Sequence, residues 1–256
     1  DEKLWENSIF ESLSTEFVIF KNDKLISSNL MCFDKENNFV FPLNYEVTNI
    51  SCFVTSDSFL LTCPETSSIN IFSKNNFNQP INTHRFFQSP PCCAAISESF
   101  HTIVVGSLGR LIIAPLESGS SMMAIDIEGY EPLKIVITEN FGFVVTYAMK
   151  VINGEIVKVL FLHNIDGKLL NMKNISFELD LLIRWSDVDG IDYLALADSE
   201  GKILAGEAFY LSFPIIVKRC LSPILSMKYS KELKSLIAIT NNGNIFIEPI
   251  IFNNNA

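Results

Sequence analysis

The sequence repeats a group of short β-strand patterns at a nearly constant interval. Each group contains runs of β-branched and aromatic residues separated by Asn, Asp and Gly. The first runs of successive groups begin at residues 50, 92, 133, 181 and 224, so the intervals are 42, 41, 48 and 43 residues. A period of about 40–45 residues with four strands per unit is typical of propeller blades. The period predicts an all-β chain, a β-propeller built of four-stranded antiparallel blades, with about six blades.

The clearest unit lies between residues 132 and 170. Four runs have strand character: Ile135–Thr138, Phe143–Tyr147, Val159–Asn164 and Lys168–Asn171. Turn signals separate them, and two of these signals are Asn153-Gly154 and Asp166-Gly167. Asn-Gly and Asp-Gly favour positive-φ turns that join antiparallel neighbours. The unit is therefore predicted to be a four-stranded antiparallel meander.

The repeat divides the chain into units of unequal clarity. We predict one propeller over residues 1–252, with a polar tail at 253–256. Its blades are a degenerate one at 16–46 and clearer ones at 47–90, 91–131, 132–178, 179–221 and 222–252. Two stacked β-sandwiches account for the number of strands but not for the regular period.

Closure of the ring needs one further strand. The last unit stops after its third strand, so we expect a segment within residues 3–20 to supply the outermost strand; otherwise the ring stays open. Residues 1–14 fit either a short helix or an irregular strand. The chain does not begin with Met, and we expect it to be a piece of a longer protein.

Charge and hydrophobicity limit the classes of partner. Hydrophobic residues make up 48% and charged residues 19% of the chain, enough apolar material for a sizeable core. The formal net charge of −10 repels phosphates and anionic headgroups, which disfavours nucleic acid. No apolar run approaches the ~18 residues of a membrane span, and no signal peptide is visible. Any peripheral membrane association is expected only through neighbouring domains or partners, and protein partners are expected to be basic or mixed.

The cysteines favour a reducing compartment. Their spacing does not match a zinc site. An even number allows a disulfide framework, but in a long apolar chain free buried thiols are favoured, and we expect a cytoplasmic location. The six cysteines are Cys32, Cys52, Cys63, Cys92, Cys93 and Cys220.

Catalytic and cofactor motifs are absent from the sequence. His84, His101 and His163 lie far apart, so we expect structural or surface histidines. The segment 106–109 resembles a hairpin turn and lacks the strand-to-helix context of a nucleophile motif. No catalytic, cofactor-binding or metal residue is predicted.

One short acidic run has carboxylates at intervals that suggest a calcium-binding loop. Residues 187–192 contain Asp187, Asp189 and Asp192, but Gly190 stands at the fourth position rather than the sixth of a calcium loop. The run fits a hairpin turn between the first and second strands of a blade. We favour the turn and leave calcium as the alternative.

Arginine and tryptophan are the candidate contact residues, because both are enriched at interface hot spots. Trp185 lies in a first strand, where alternation directs it between blades, so core packing is expected. Arg110, at a hairpin tip, and Arg219, just after a strand, are better placed to contact a protein partner.

Three segments resemble the C-terminal WD-repeat propeller of BEACH-domain proteins, particularly divergent protist ones. They are Pro132–Tyr147, Leu160–Lys168 and Gly201–Leu211, and the likeness covers about residues 92–250. The chain has Phe141 where the family has Trp before Gly, and it lacks Trp-Asp blade ends. The resemblance implies a protein-docking platform in membrane and vesicle trafficking, peripheral to endomembranes, and carries no binding residues to this chain.

The leading hypothesis is a non-catalytic interaction scaffold that binds proteins on a face or rim of the propeller. One alternative is a propeller enzyme of glycosidase or lactonase type, which needs convergent carboxylates or a metal in the channel. The acidic residues weighed for that role are Asp126, Glu128, Asp180 and Asp198. A third possibility is an adaptor of a coat or ubiquitin-ligase complex.

Overall fold

The computed structural model describes the backbone of the strands between Phe17 and Pro64. It describes both backbone and side chains of residues 68–73, 79–85, 89–117, 122–187 and 189–250. In these parts all regular secondary structure is β-strand, arranged in six antiparallel sheets. Five sheets have four strands and the last has three. The predicted all-β class with four-stranded antiparallel units is confirmed.

The strands are numbered in chain order. The first sheet contains β1 (Phe17–Ile19), β2 (Lys24–Ser27), β3 (Met31–Asp34) and β4 (Phe39–Pro42). The second contains β5 (Ile50–Thr55), β6 (Phe59–Pro64), β7 (Ser68–Ser73) and β8 (Asn82–Arg85). The third contains β9 (Pro91–Ser97), β10 (Thr102–Ser107), β11 (Arg110–Pro115) and β12 (Met123–Asp126). The fourth contains β13 (Glu131–Ile137), β14 (Val144–Ile152), β15 (Glu155–His163) and β16 (Leu169–Ile175). The fifth contains β17 (Leu179–Ser186), β18 (Asp192–Asp198), β19 (Lys202–Glu207) and β20 (Ile215–Arg219). The sixth contains β21 (Ile224–Ser230), β22 (Ser235–Thr240) and β23 (Ile245–Pro249).

The hairpin of β14 and β15 is longer than its sequence pattern indicates. Asn153 and Gly154 have φ of 52° and 85°, the two positive angles that a type I′ turn requires, so the predicted turn is confirmed. The predicted runs stopped at Tyr147 and resumed at Val159, whereas pairing continues to Ile152 opposite Glu155. The intervening β-branched residues sustain the ladder even where the hairpin leaves the core.

The first strands of neighbouring sheets pack against one another. Strand β9 contacts β5 and β13, and β17 contacts β13 and β21. Fourth strands such as β16 pair only with the third strand of their own sheet and expose most side chains. First strands are therefore central and fourth strands peripheral, which is the radial arrangement of a propeller. The sheet of β13 packs against two neighbours, whereas stacked sandwiches would pair sheets face to face.

Apolar clusters fill the spaces between the sheets. Val104 and Leu111 of the third sheet meet Ile137 and Phe161 of the fourth, and all four are buried. Trp185 of the fifth sheet is buried in the cluster that includes residues of the sixth, so the prediction that it packs between blades is confirmed. Strand β18 is buried along its whole length, as expected for a middle strand covered on both faces.

Only part of the N-terminal region lies within the described residues. The first sheet contains β1–β4, where the sequence indicated a degenerate unit. Strand β1 pairs with β2 in that sheet, so residues 17–19 do not complete the last one. Residues 1–16, which include the helix-or-strand segment and most of the segment expected to close the ring, lie outside the described residues, as does the tail at 253–256.

Candidate protein-binding face

In each meander the turns that join strands one to two and three to four lie at the same end of the sheet. We call the surface formed by these turns in the fourth, fifth and sixth sheets the turn face. Its turns 138–143, 187–191 and 231–234 are tied together across sheets. The backbone N–H groups of Asn140 and Phe141 donate to Asp192 over 3.2 and 2.9 Å. Lys231 and Glu139 form an ion pair of 3.1 Å.

The acidic run at 187–192 forms the turn between β17 and β18. Ser186 pairs with Asp192 in the ladder, so the hairpin interpretation is confirmed. The Asp187 carboxylate accepts from Asp189 N (3.1 Å), Ile191 N (2.8 Å) and the Tyr193 hydroxyl (3.1 Å). These oxygens face N–H and O–H donors rather than one another, as an Asx-type turn requires.

Buried Asp192 links the fourth and fifth sheets. Besides the two backbone donors of the 138–143 turn, its carboxylate accepts from the Ser186 hydroxyl over 2.6 Å. A buried carboxylate is tolerated when several donors satisfy it. This carboxylate therefore holds the turn that carries Phe141.

Glu139 is the centre of a small charge network. It contacts Arg184 at 2.6 Å and Lys231 at 3.1 Å. Burial alone would raise the pKa of Glu139, but bonds from Arg184 and Lys231 outweigh it and hold the pKa below its usual value. Arg184, conspicuous in the sequence beside Trp185, is therefore engaged in positioning the turn.

A cleft of about 310 Å³ opens beside this network. Ser186, Asp187, Tyr229, Lys231 and Lys234 line it. The cleft can hold a small polar group, and at its edge the Ser186 hydroxyl donates to Asp192. Below it the Trp185 ring stacks on those of Tyr229 and Tyr193, with ring centres 4.8 and 5.5 Å apart. Tyr229, which lines the cleft, is therefore packed in a stack of three rings.

An aromatic ridge projects from the turn face. We define the ridge as Phe141, Phe209 and Tyr210, which are 58%, 51% and 62% exposed. Phe143 connects its parts, because its ring lies 5.3 Å from Phe141 and 5.8 Å from Phe209. The rings of Phe209 and Tyr210 pack edge to face, with an interplanar angle of 84° and ring centres 5.2 Å apart.

The ridge spans two sheets and is held by hydrogen bonds. The Asn171 amide donates to the carbonyls of Phe209 and Tyr210 over 3.4 and 3.2 Å. Three half-exposed aromatic side chains present on the order of 300 Å² of surface. An apolar patch of that size on a monomer often marks a contact site. The ridge is thus a preformed apolar surface on rigid turns.

Arg110 and Arg219 lie at the opposite end of the sheets. Arg110 begins β11 after the turn between strands two and three, and Arg219 ends β20 opposite Lys202. Both are exposed, but they belong to the third and fifth sheets and the structure does not bring them together. The ridge residues are not among those predicted from the sequence. The pattern that could have indicated them is an aromatic residue between turn residues, as in Asn140-Phe141-Gly142, where no strand face requires an apolar side chain.

The acidic residues weighed for a propeller enzyme do not converge. Asp126 accepts from Glu128 N at the end of a fourth strand, and Asp198 caps its own turn by accepting from Lys202 N. Asp180 lies in the first strand of the fifth sheet. Across the side chains that the structure describes, no cluster of three His, Cys, Asp or Glu residues could hold a metal ion.

The three histidines lie in separate places. His84, in β8, lies 3.0 Å from the carbonyl of Pro115, and His101 is an exposed turn residue with φ of 46°. His163 is only 2% exposed at the end of β15, and its Nδ1 has no hydrogen-bond partner. Burial lowers the pKa of His163 to about 4.

Acid sensitivity should follow from His163. Because its folded pKa lies below the unfolded value of about 6.5, the unfolded chain is protonated first as the pH falls. Its contribution is complete above about pH 6.5 and is lost towards pH 4, which lowers the free energy of unfolding by about 2 kcal/mol between pH 7 and pH 4.5. Urea titrations at both pH values should show that His163→Phe removes this dependence. The exposed-site control His101→Asn should retain it, and an unchanged slope in His163→Phe would contradict the assignment.

The cysteines with described side chains form no disulfide bonds. These are Cys92, Cys93 and Cys220. Cys92 donates to the carbonyl of Pro132 over 2.9 Å. The side chains of the other three lie outside the described residues.

In the part of the chain that the structure describes, no helix has the length and apolar character needed to cross a bilayer.

Comparisons with known proteins find similarity in structure only. No protein-family model matches the chain, and no curated protein matches it. BBS1N, crystallised in complex with ARL6DN and soaked with lead, is similar with a TM-score of 0.67 and 16% identity, over 94% of this chain and 79% of that one. The β-propeller domain of Cps50 (Swd1) from Myceliophteria thermophila has a TM-score of 0.64 and 13% identity, over 90% and 80%. The computationally designed protein Ika8 has a TM-score of 0.67 and 12% identity, over 91% and 70%. At these identities the likeness establishes the fold, and the fold is a β-propeller.

Proposed function

We propose that this chain is a non-catalytic scaffold that binds a protein partner on the turn face, with the aromatic ridge as the centre of contact. We also propose that residues 1–252 act as one propeller. A rigid array of sheets displays short turns without the entropic cost of ordering long loops on binding. Scaffolding needs such a surface and no reacting groups.

The observation that carries the proposal is the exposure of Phe141, Phe209 and Tyr210 on hydrogen-bonded turns. Aromatic side chains lose few rotamers on binding and supply large contact areas, which is why they are enriched in interfaces. A partner that covers them removes apolar surface from water at about 25 cal/mol per Å². Neighbouring turns then serve as a polar rim.

A finer proposal concerns cellular setting. Similarity of the three sequence segments to the propeller of BEACH-domain proteins supports a cytoplasmic role in membrane and vesicle trafficking, with membrane contact through neighbouring domains or partners. The coding sequence upstream of Asp1 tests this. A BEACH domain encoded there would support the proposal, and a signal peptide there would overturn it.

The binding face can be tested by affinity capture and cross-linking. The 256-residue protein is immobilised, exposed to a lysate of its source, and cross-linked to whatever it retains. We expect cross-links from the main retained protein to fall on the turn face, and Phe141→Ser with Tyr210→Ser to reduce its capture at least tenfold. Substitutions at such exposed sites usually change stability by less than about 0.5 kcal/mol, which thermal melting verifies.

The matched control is Leu108→Ser. Leu108 is 63% exposed in a turn at the opposite end of the third sheet, so this variant removes an exposed apolar side chain from the other face. Capture should be unchanged. Cross-links confined to the face of Leu108, or equal losses in both variants, would rule out the turn face as the binding site.

A further inference from the structure

We propose that the turn face takes a basic peptide segment, with apolar or guanidinium groups packed over the aromatic ridge. This inference rests on the proposed function and specifies the chemistry of the partner. It is carried by the distribution of charge around the ridge.

Carboxylates outnumber cations on the turn face. In the described parts of the fourth, fifth and sixth sheets, the acidic side chains in the turns and within three residues of the adjoining strand ends are Glu139, Asp166, Asp187, Asp189, Asp192, Glu207, Glu232 and Glu248. The basic side chains in the same positions are Lys168, Arg184, Lys228, Lys231 and Lys234. Two of these cations, Arg184 and Lys231, are already paired with Glu139. The face therefore contributes strongly to the net charge of −10.

Three carboxylates lie in or beside the turns of this face. Glu207 ends β19, two residues before Phe209. Asp189 is exposed in the 187–191 turn, where Gly190 lies beside the Asn140 side chain. Asp166 is exposed in the turn that leads into β16.

These three carboxylates have no salt-bridge partner among the described residues. Within the described residues none of Glu207, Asp189 and Asp166 forms an ion pair, since the pairs found there join Arg184, Lys231 and Lys218 to other acids. The ridge is thus an apolar strip inside a negative field. A partner with positive charge would be drawn to it and oriented by it.

Aromatic rings and carboxylates together favour a cationic ligand. A guanidinium can stack on Phe209 or Tyr210 while it bonds to a nearby carboxylate. Aliphatic side chains of the same segment would pack on the exposed parts of the two rings. An acidic segment could pair with Lys234 in the adjoining cleft, but the surrounding carboxylates would repel it.

Synthetic peptides test the charge preference directly. The probe is a fluorescein-labelled eight-residue peptide that alternates Arg and Leu, titrated with the 256-residue protein and followed by anisotropy. The comparison peptides alternate Glu with Leu and Arg with Ser. We expect the Arg–Leu peptide to bind at least tenfold more tightly than either, and to weaken as salt screens the face. Equal or tighter binding of the Glu–Leu peptide would overturn the inference.

Variants locate the binding site. Phe209→Ser with Tyr210→Ser should weaken the Arg–Leu peptide at least tenfold, and so should Asp166→Asn, Asp189→Asn and Glu207→Gln combined. The control combines Glu128→Gln, Glu155→Gln and Glu200→Gln, which removes the same charge from exposed residues away from the turn face. It should leave affinity within about twofold. An equal loss in the control would mean non-specific attraction to an acidic protein and would overturn the inference.

The two proposals fail differently. Cross-links on the ridge together with no binding of the Arg–Leu peptide would overturn the basic-ligand inference and leave the scaffold proposal standing. Cross-links on the opposite face would overturn the turn face as the docking site, whatever the peptides do.

Discussion

Replacing Gly206 with Ala should lower the free energy of unfolding by about 3 kcal/mol or more. A Cβ at Gly206 would overlap the carbonyl oxygen of Ser212 and lie 2.7 Å from its carbonyl carbon and 2.9 Å from the Cα of Phe213. All three atoms are backbone, so no side-chain rotation relieves the clash. The 208–214 turn would have to move, although Ala208 N is bonded to Asp192 O over 2.9 Å.

Thermal and chemical unfolding measure this effect. For a domain of this size each kcal/mol corresponds to about 2–4 °C in the melting temperature, so a drop of about 6–12 °C is expected. The matched control is Gly154→Ala, because an added Cβ there meets nothing within 4 Å. Its cost should be only the 1–2 kcal/mol or so of a non-glycine residue at a φ of +85°. A melting temperature for Gly206→Ala equal to that of Gly154→Ala would show that the turn yields without cost.

The substitution should also affect the turn face. The turn that packs against Gly206 carries Phe209 and Tyr210, so displacement of the turn should also disturb the ridge. If the turn face binds a partner, Gly206→Ala should weaken that binding even where the protein remains folded. Stability and binding are therefore coupled at this glycine.

The fold was predictable because its signals are local and repeated. Runs such as Ile135–Thr138 need only β-branched residues between turn signals, and Asn153-Gly154 imposes a hairpin by its own backbone preference. Repetition at 41–48 residues then defines the unit regardless of ambiguity in any one strand. The burial of Trp185 is predictable for the same reason, because alternation in a first strand directs its side chain between sheets.

The site was not predictable in the same way, because it depends on contacts between distant residues. Asp192 accepts from Asn140 and Phe141, which lie 52 and 51 positions earlier in the chain. The sequence identifies an acidic turn but not the turn of another sheet that it holds. Arg110 and Arg219 are predicted from their residue type and their positions beside turns. The ridge is made instead from Phe141, Phe209 and Tyr210, and hydrophobic residues of this kind are usually expected in the core. Exposure of an aromatic residue is a property of the assembled face.

Within the described residues, the outer edge of β23 in the last sheet has no paired strand. Thr240 N donates to Asn244 O over 2.9 Å and Ile250 N donates to Lys234 O over 3.4 Å. Even-numbered residues of β23 therefore bond to β22, and Ile245 and Ile247 direct their N–H and C=O groups away from it. In the other five sheets the equivalent edge of the third strand is paired with a fourth strand.

Chain lengths indicate which segment could pair there. Elsewhere the connection from a fourth strand to the next first strand spans residues 43–49, 86–90, 127–130, 176–178 and 220–223. A connection of one of these lengths before Phe17 would end a closing strand at residue 9, 11, 12 or 13. Ile9, Phe10 and Leu13 supply apolar side chains in that region. We therefore expect the segment that closes the ring to lie around residues 6–13, inside the range of 3–20 that the repeat indicates.

Deleting residues 1–14 should therefore expose the β23 edge and cause aggregation, while β1 is left intact. We expect the truncated protein to form large species in size-exclusion chromatography with light scattering, and its melting temperature to fall by about 5 °C or more. Removing residues 253–256 is the control and should change neither quantity. Adding Ile247→Lys to the truncated protein should reduce aggregation, because a lysine on an exposed edge strand opposes pairing. A truncated protein that stays monomeric with unchanged melting would show that residues 1–14 do not complete the last sheet.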